Sequence, residues 1–310
     1  MSVVLSKRAT RRSTWLSYET FETCGNRFGS WAKWKNDPDA MNYRRYLAAC
    51  YWLYDARLMV DMAEALGKSA DAAWFRASAE RALGYIRGRF LEEDGLLLKP
   101  MRHLQTANVF ALRHGIVQGD RRQATKELLL RSIRENGDCL QTGFLGTSFI
   151  MDALSGCGAA DVAYTLLLQH KNPSWLYSVD QGATTVWERW NSYTKKDGFG
   201  PVGMNSFNHY AYGAVLGWVY RVVAGISADS KSPGFRRIVM APKPDVRLGW
   251  VKAEYRSAAG LIKSAWRYAG GKWIWEFTVP EGAIAEVAIP GESSSATYSA
   301  GSYRIERPLK

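Results

Sequence analysis

The sequence changes its hydrophobic period once, near residue 230. Before that point, apolar residues recur every three or four positions, in segments that end at glycine or asparagine. After it, short stretches alternate apolar and polar residues between glycine-rich turns. A period of 3.6 indicates helices with one buried face, and a period of two indicates half-buried strands. The chain is therefore predicted to be mainly α with a β appendage.

The helical segments are predicted to pair as αα-hairpins. The first begins at the Asn36-Asp37-Pro38 cap and ends at Gly67, and a partner helix follows from residue 69 to the Asp94-Gly95 stop. Further helices are predicted over 103–114, 121–135, 147–154, 158–170 and 207–224. No sequence repeat of the solenoid type accompanies them, so we expect a toroidal α/α barrel of hairpins with long loops at one end.

The alternating stretches predict a small antiparallel β-sandwich, with residues 226–244 as the linker. The predicted strands cover 253–257, 261–268, 273–277 and 285–289. The predicted domains are an irregular lead-in over 1–28, a helical domain over 29–230 and a sandwich over 231–310.

The charge and hydropathy of the chain limit the kinds of molecule that it is expected to bind. The chain of 310 residues carries a net charge of +12 at pH 7, but its basic residues are scattered, with one dense run at 7–12. Since no zinc-finger or RNA-recognition signature accompanies that run, we expect no nucleic-acid partner, and an acidic polysaccharide is the alternative reading of the charge. No apolar run is long enough for a signal peptide or a membrane span. We therefore expect no membrane partner and a cytoplasmic location.

Cysteine and histidine spacing gives no sign of a metal or cofactor. The four cysteines lack a CxxC spacing, so buried free thiols are expected, with disulfides left open by the even count. The four histidines include no i, i+4 pair and no HExxH motif. We expect no metal site and no cofactor.

One stretch within residues 183–226 contains the residues that suggest a function. Glu188 lies between Trp187 and Trp190 in the sequence. Indole faces can stack on the apolar face of a sugar ring, and a carboxylate can bind hydroxyls or take a proton from water. The alternative is that the indoles are packed core side chains and the carboxylate is solvated or ion-paired.

The motifs around this stretch resemble the C-terminal half of the bacterial inverting α-L-rhamnosidases. The resemblance rests on residues 180–190 and 205–213, and it extends over roughly 29–290 through the flanking pieces 136–147, 173–177 and 233–235. It implies a six-hairpin α/α barrel followed by a C-terminal β-sandwich. It also implies hydrolysis of a rhamnose-containing glycoside or oligosaccharide, with removal of terminal α-L-rhamnose and inversion.

The resemblance also implies roles for individual residues. Glu188 matches the general base that activates the attacking water. His209, 21 residues later, matches a histidine that contacts the sugar, although without the resemblance a packing or capping role is expected. Trp187 and Trp190 would line the sugar pocket, as would Trp31. Ser30 precedes Trp31 where the family usually has aspartate, so this match departs from the pattern.

The family's general acid lies in an acidic, Arg-Asp-Glu-Arg-like motif that is absent between Met1 and Trp34. The acidic residues near that end lack its context; they are Glu19, Glu22, Asp37 and Asp39. We therefore expect a C-terminal fragment without the acid, whose exposed barrel faces favour self-association. The alternatives are a non-catalytic rhamnose- or carbohydrate-binding remnant, another six-hairpin glycosidase, or a polysaccharide lyase that uses Tyr210 and His209.

Overall fold

The computed structural model describes residues 38–230, 232 and 234–309. The chain divides into two compact units between Tyr212 and Gly213. The predicted lead-in over 1–28 and Trp31 lie outside the described residues. The predicted domain boundary at 230/231 stays a prediction.

Helices build the described part of the first unit. They are α1 (Pro38–Ala65), α2 (Ser69–Phe90), α3 (Gln105–Arg113), α4 (Gly119–Glu135), α5 (Phe144–Gly156), α6 (Ala160–Leu167) and α7 (Trp175–Asp180). Helices α1 and α2, α3 and α4, and α5 and α6 pack as consecutive hairpins. A two-stranded ribbon, β1 (Tyr193–Thr194) and β2 (Gly198–Phe199), follows α7. The predicted hairpin architecture is confirmed.

Glycine ends several of these helices, as the sequence predicts. Gly67, Gly115 and Gly137 have φ values of 66°, 63° and 68°. A residue with a Cβ adopts this left-handed conformation only at an energetic cost, so glycine is favoured just after a helix.

Helix α3 lies at the centre of the first unit. It packs against α1 and α5 as well as α4, and its residues are buried from Gln105 to Leu112. The Gln105 side chain donates to the Cys139 carbonyl at 3.1 Å and accepts from the Gln141 amide at 2.7 Å. A buried amide with both ends bonded costs little, so this helix tolerates a polar residue inside the core.

Two arginines cap the carboxyl end of α3. The Arg57 guanidinium donates to the carbonyl of His114 at 2.7 Å, and the Arg87 guanidinium donates to the carbonyl of Ile116 at 3.0 Å. Cations are favourable at this end because the last carbonyls of a helix have no intrahelical partner and carry partial negative charge. These bonds tie α1 and α2 to the end of the central helix.

The side chain of His114 lies in an aromatic cluster. Its ring centroid is 5.5 Å from that of Tyr54, 5.3 Å from that of Phe110 and 5.9 Å from that of Phe149. Its Nε2 is buried without a hydrogen-bond partner in the described part of the chain. Burial lowers the pKa of His114 to about 4, and the nearby arginine charges act in the same direction.

The second unit contains two four-stranded sheets. Its strands are β3 (Ile226–Ala228), β4 (Arg237–Met240), β5 (Trp250–Ser257), β6 (Gly260–Ala269), β7 (Lys272–Val279), β8 (Ile284–Ala288), β9 (Ser295–Tyr298) and β10 (Gly301–Pro308). The sheet orders are β10-β7-β6-β5 and β3-β4-β8-β9, with every neighbouring pair antiparallel except β4 and β8. Strands β5 to β8 match the four alternating stretches of the sequence.

The core of this unit is tied to its first residues by buried polar bonds. The Trp266 indole donates to the Val223 carbonyl at 2.7 Å, and the Ser264 hydroxyl donates to the Ala224 carbonyl at 2.6 Å. Ser264 also accepts from the Trp275 indole at 2.9 Å. These three polar side chains, buried among aromatic rings, therefore all have partners, whereas the buried indole nitrogen of Trp273 has none among the described residues.

Two predictions about this region are wrong. The predicted linker over 226–244 contains β3 and β4, whose carbonyls and amides complete the second sheet. The helix predicted over 207–224 is reduced to a 3₁₀ turn (Ala211–Ala214), a short α8 (Val215–Trp218) and a π turn (Val219–Val223). Residues before 211 are not helical because their main chain pairs with another loop, described below.

The described cysteines are free thiols, with Cys50 and Cys139 buried and Cys157 partly exposed. No helix among the described residues has both the length and the apolar character needed to span a membrane.

We predict that the stability of the chain falls in acid because of His114. The unfolded chain takes up a proton near pH 6.5, whereas the folded chain takes it up only near pH 4. Stability from this group is therefore complete above the unfolded pKa and falls as the pH drops towards the folded pKa, by up to about 3 kcal/mol. Urea unfolding at about pH 7.5 and about pH 4.5 measures the change.

The matched variants separate this residue from other acid effects. His114→Phe keeps an aromatic ring among its neighbours and should reduce the pH dependence. His170→Gln alters an exposed histidine and should keep the wild-type dependence. Equal pH dependence in wild type and His114→Phe would contradict the assignment.

Candidate functional site

The site is built by two loop segments that pair through their main chains. The Glu188 amide donates to the Ser206 carbonyl at 2.9 Å, and the His209 amide donates to the Val186 carbonyl at 2.8 Å. The Thr185 hydroxyl also donates to a carbonyl of the second segment. This antiparallel pairing places Glu188 and His209 on adjacent segments, although 21 residues separate them in the sequence.

The carboxylate of Glu188 is positioned by the same pairing. The Ser206 amide donates to its Oε2 at 2.8 Å, and the side chain is half-buried. Its Oε1 makes no hydrogen bond to the described part of the chain. One oxygen is thus held by the main chain, while the other is left to interact with a bound molecule.

The ring of His209 stacks with two aromatic rings. Phe144 stacks on one side with a centroid distance of 4.7 Å, and Tyr210 stacks near it at 5.3 Å. The Nδ1 atom of His209 accepts from the Ala211 amide at 3.4 Å. In the neutral ring this bond places the proton on Nε2, which makes Nε2–H a donor.

The two indoles that flank Glu188 in the sequence pack against neighbours. Trp187 is 6% exposed and meets the edge of Phe207 at 5.2 Å. Trp190 is half-buried, and its ring stacks on Tyr212 at 3.8 Å and meets Trp175 at 5.3 Å. Both rings therefore support the loop that carries the carboxylate, and their predicted contact with a sugar stays a prediction.

A second set of bonds fixes the loops behind the carboxylate. The Asn205 amide donates to the carbonyls of Ser192 and Gly200 at 3.0 and 3.3 Å. The buried Ser192 hydroxyl accepts from the Arg189 amide at 3.1 Å. The first two bonds hold Asn205, the residue before Ser206, to Ser192 and Gly200, which follow Glu188 in the sequence.

Sequence reasoning missed the residues that position the carboxylate and the histidine. Ser206 acts here through its main-chain amide, Asn205 through its side-chain amide and Phe144 through its ring, and a one-dimensional pattern does not show these contacts. The Asn205-Ser206 pair directly after a glycine-rich connection was the available signal.

No acidic partner of Glu188 and no metal site is identified in this part of the chain. No three His, Cys, Asp or Glu side chains converge on a common point within residues 38–230, 232 and 234–309. Trp31 and the acidic residues 19, 22 and 37 lie outside these ranges. Asp39 is in the first turn of α1, a position that suits a carboxylate near a helix amino end.

Two family models match the chain. Residues 2–223 match the bacterial alpha-L-rhamnosidase 6 hairpin glycosidase domain, and residues 225–303 match the bacterial alpha-L-rhamnosidase C-terminal domain. Together they cover both compact units.

Curated proteins and solved structures agree with these models. An alpha-L-rhamnosidase from Formosa agariphila is 35% identical over 80% of this chain and 26% of its own length. One from Streptomyces avermitilis is 36% identical over 79% of this chain and 23% of its own length. The crystal structure of a Streptomyces avermitilis alpha-L-rhamnosidase complexed with L-rhamnose has a TM-score of 0.78 and 33% identity, over 85% of this chain and 27% of that one. The chain thus spans about a quarter of the length of these relatives.

We predict that Trp190 supports the site structurally. Trp190→Ala removes its stacking on Tyr212 and its edge contact with Trp175, and should lower the free energy of unfolding by about 2–4 kcal/mol. Tyr210→Ala is the matched control, because Tyr210 is 80% exposed and should change stability by less than about 1 kcal/mol. Urea unfolding compares the two, and equal losses would contradict a special role for the Trp190 stack.

Proposed function

This chain belongs to the bacterial α-L-rhamnosidases, and on that premise we propose that it carries the general-base side of an inverting α-L-rhamnosidase site. The substrate is a glycoside or oligosaccharide that ends in α-L-rhamnose, and Glu188 activates the attacking water. The observation that supports this most directly is the hydrogen bond from the Ser206 amide to Glu188 Oε2. A carboxylate fixed by the main chain, with a second oxygen left for water, is the arrangement that a general base requires.

The proposed reaction needs two groups on opposite sides of the sugar ring. Glu188 takes a proton from water while the water oxygen attacks the anomeric carbon, and the glycosidic bond breaks on the opposite face. A carboxylic acid at about 6.5–9.5 Å from the base protonates the departing oxygen in an inverting enzyme. We assign no residue to that role, and propose that it is supplied from outside residues 38–309.

His209 binds the sugar in this proposal. Its Nε2–H donates to a hydroxyl of the rhamnose ring, and the stacking of Phe144 fixes the plane of the imidazole. The main-chain bond from His209 to Val186 keeps this donor on the segment next to Glu188. The pair would then act on one sugar, with His209 orienting the ring and Glu188 activating the water.

We predict that Glu188→Gln lowers kcat for p-nitrophenyl α-L-rhamnoside by about 10²–10⁴ with little change in KM, because the amide keeps the size of the side chain but cannot take a proton. This substrate suits a chain without an assigned acid, since p-nitrophenolate departs without being protonated. Glu93→Gln makes the same substitution at an exposed position of the first unit and should keep the wild-type rate.

Two results would contradict the proposal. Equal rates for Glu188→Gln and wild type would exclude Glu188 as the base. Calorimetric binding of L-rhamnose without any turnover by the wild type would instead support the alternative function, a non-catalytic rhamnose-binding protein. This alternative keeps His209 and the aromatic ring stacked on it as sugar-binding groups, and it requires no general acid.

We also propose that the chain associates with itself, because large apolar side chains are exposed on the hairpin of α1 and α2. Met62 on α1 is 55% exposed, Trp74 on α2 is 44% exposed, and Leu66 in the turn between the two helices is 71% exposed, so one hairpin presents several large apolar groups to water. A second copy of the chain that covers these helices would remove this apolar surface from water.

We predict that the chain forms concentration-dependent oligomers, which Met62→Lys and Trp74→Glu weaken because each places a charge in the covered surface. Size-exclusion chromatography with light scattering measures the mass. Val246→Lys alters a residue of the second unit that is 67% exposed and should leave the mass unchanged. A monomeric wild type at all concentrations would contradict self-association.

A further inference from the structure

The outer face of the sheet β10-β7-β6-β5 carries two polar rows that cross all four strands. Strand register aligns the residues of each row, since side chains two positions apart on a strand share one face. The first row is Glu254, Lys263, Thr278 and Ser302, and the second row is Lys252, Ala265, Glu276 and Arg304. We call this surface the cross-strand face.

A groove of about 360 Å³ runs along the cross-strand face and is lined by both rows. It exists because short side chains stand among long ones. Ala265 in the second row and the hydroxyl residues Thr278 and Ser302 in the first leave space between longer charged neighbours. The Thr278 and Ser302 hydroxyls are 3.0 Å apart, so the first row ends in a pair of hydrogen-bonding groups.

The carboxylates of the groove are already paired with cations. Glu254 is 3.7 Å from Lys263, and Glu276 is 2.9 Å from Arg304. Lys252 also lines the groove, but its cross-strand neighbour is Ala265, and it makes no ion pair with the described residues. The groove therefore carries one cation in excess, Lys252, which is exposed and has no carboxylate partner among the described residues.

An exposed indole lies beside this cation. Trp250 is two residues before Lys252 on the same strand and is 66% exposed. Its position directly across from Arg267 places it on the same face as the two rows. An exposed indole offers a flat apolar surface, which the C–H face of a pyranose ring can cover, while the hydroxyls of the ring remain free to form hydrogen bonds.

We propose that the cross-strand face binds an anionic glycan chain, in which a uronate carboxylate pairs with Lys252 and a pyranose ring stacks on Trp250. The hydroxyls of Thr278 and Ser302 and the paired charged groups serve as hydrogen-bonding partners for sugar hydroxyls. Charge complementarity selects the ligand class, since Lys252 makes no ion pair with the described residues and the whole chain has a net charge of +12. This site belongs to the second unit and goes beyond the proposed hydrolysis.

An ordinary solvated face explains these features less well. Surface ion pairs account for Glu254, Lys263, Glu276 and Arg304, and each contributes little to stability. They give no reason for the exposed indole of Trp250 two residues from Lys252, which lines the groove and makes no ion pair with the described residues. A glycan chain uses all three features together.

The test is calorimetric binding of oligogalacturonides of defined length to the intact 310-residue chain, compared with their methyl esters. The two probes share one sugar backbone, and only the first carries carboxylates. We expect the acid form to bind more tightly, with an affinity that falls as salt is raised. Lys252→Glu and Trp250→Ala should each weaken binding by at least about tenfold, the first by charge repulsion and the second by loss of stacking.

Two controls make each outcome decisive. Lys68→Glu makes the same charge change at an exposed turn of the first unit and should bind as the wild type does. Glu188→Gln should also bind normally, so that failure of the proposed hydrolysis and failure of this site are distinguishable. Absence of binding, equal binding of acid and ester, or equal weakening by Lys252→Glu and Lys68→Glu would overturn the proposal.

Discussion

The candidate site depends on the main-chain pairing of residues 186–188 with residues 206–209. These few hydrogen bonds hold the segments that carry Glu188 and His209 next to each other, and one of them ends on the Glu188 carboxylate itself. Ring contacts reinforce the pairing on one side, through Trp190 and Tyr212, and the Asn205 amide reinforces it on the other. Loops need such contacts, because a segment without regular secondary structure must find a separate hydrogen-bond partner for each buried main-chain amide and carbonyl.

Much of the fold was predictable because its determinants are local. The glycines that end helices, such as Gly67 and Gly115, act through the conformation of a single residue. Strands β5 to β8 follow from the alternation of apolar and polar residues along each strand. The six-hairpin architecture and the family were predicted from motifs in the central stretch, and the family models match both units. The hydrogen bonds from Arg57 and Arg87 to the carbonyls at the end of α3 were not predicted, because these arginines belong to other helices.

The errors in prediction have a common physical cause, which is pairing between distant segments. Residues 207–210 have a helical apolar pattern, yet their amides and carbonyls bond to the loop that carries Glu188. Strands β3 and β4 are short, and β4 gains its place from a parallel neighbour far along the chain, β8. For the site, the resemblance predicted roles for Glu188 and His209, and those roles stay predictions. The amide of Ser206 and the ring of Phe144, which position the two side chains, became evident only from the structure.

The most direct test of a base at Glu188 is chemical rescue of Glu188→Ala by azide, with p-nitrophenyl α-L-rhamnoside as substrate. The shorter side chain leaves space where the water would be activated, and azide can attack the anomeric carbon there without losing a proton. We expect renewed release of p-nitrophenolate and formation of β-L-rhamnosyl azide, identified by NMR. Rescue that yields the α-azide, or no rescue in a folded variant of an active wild type, would contradict the assignment of Glu188 as the base of an inverting reaction.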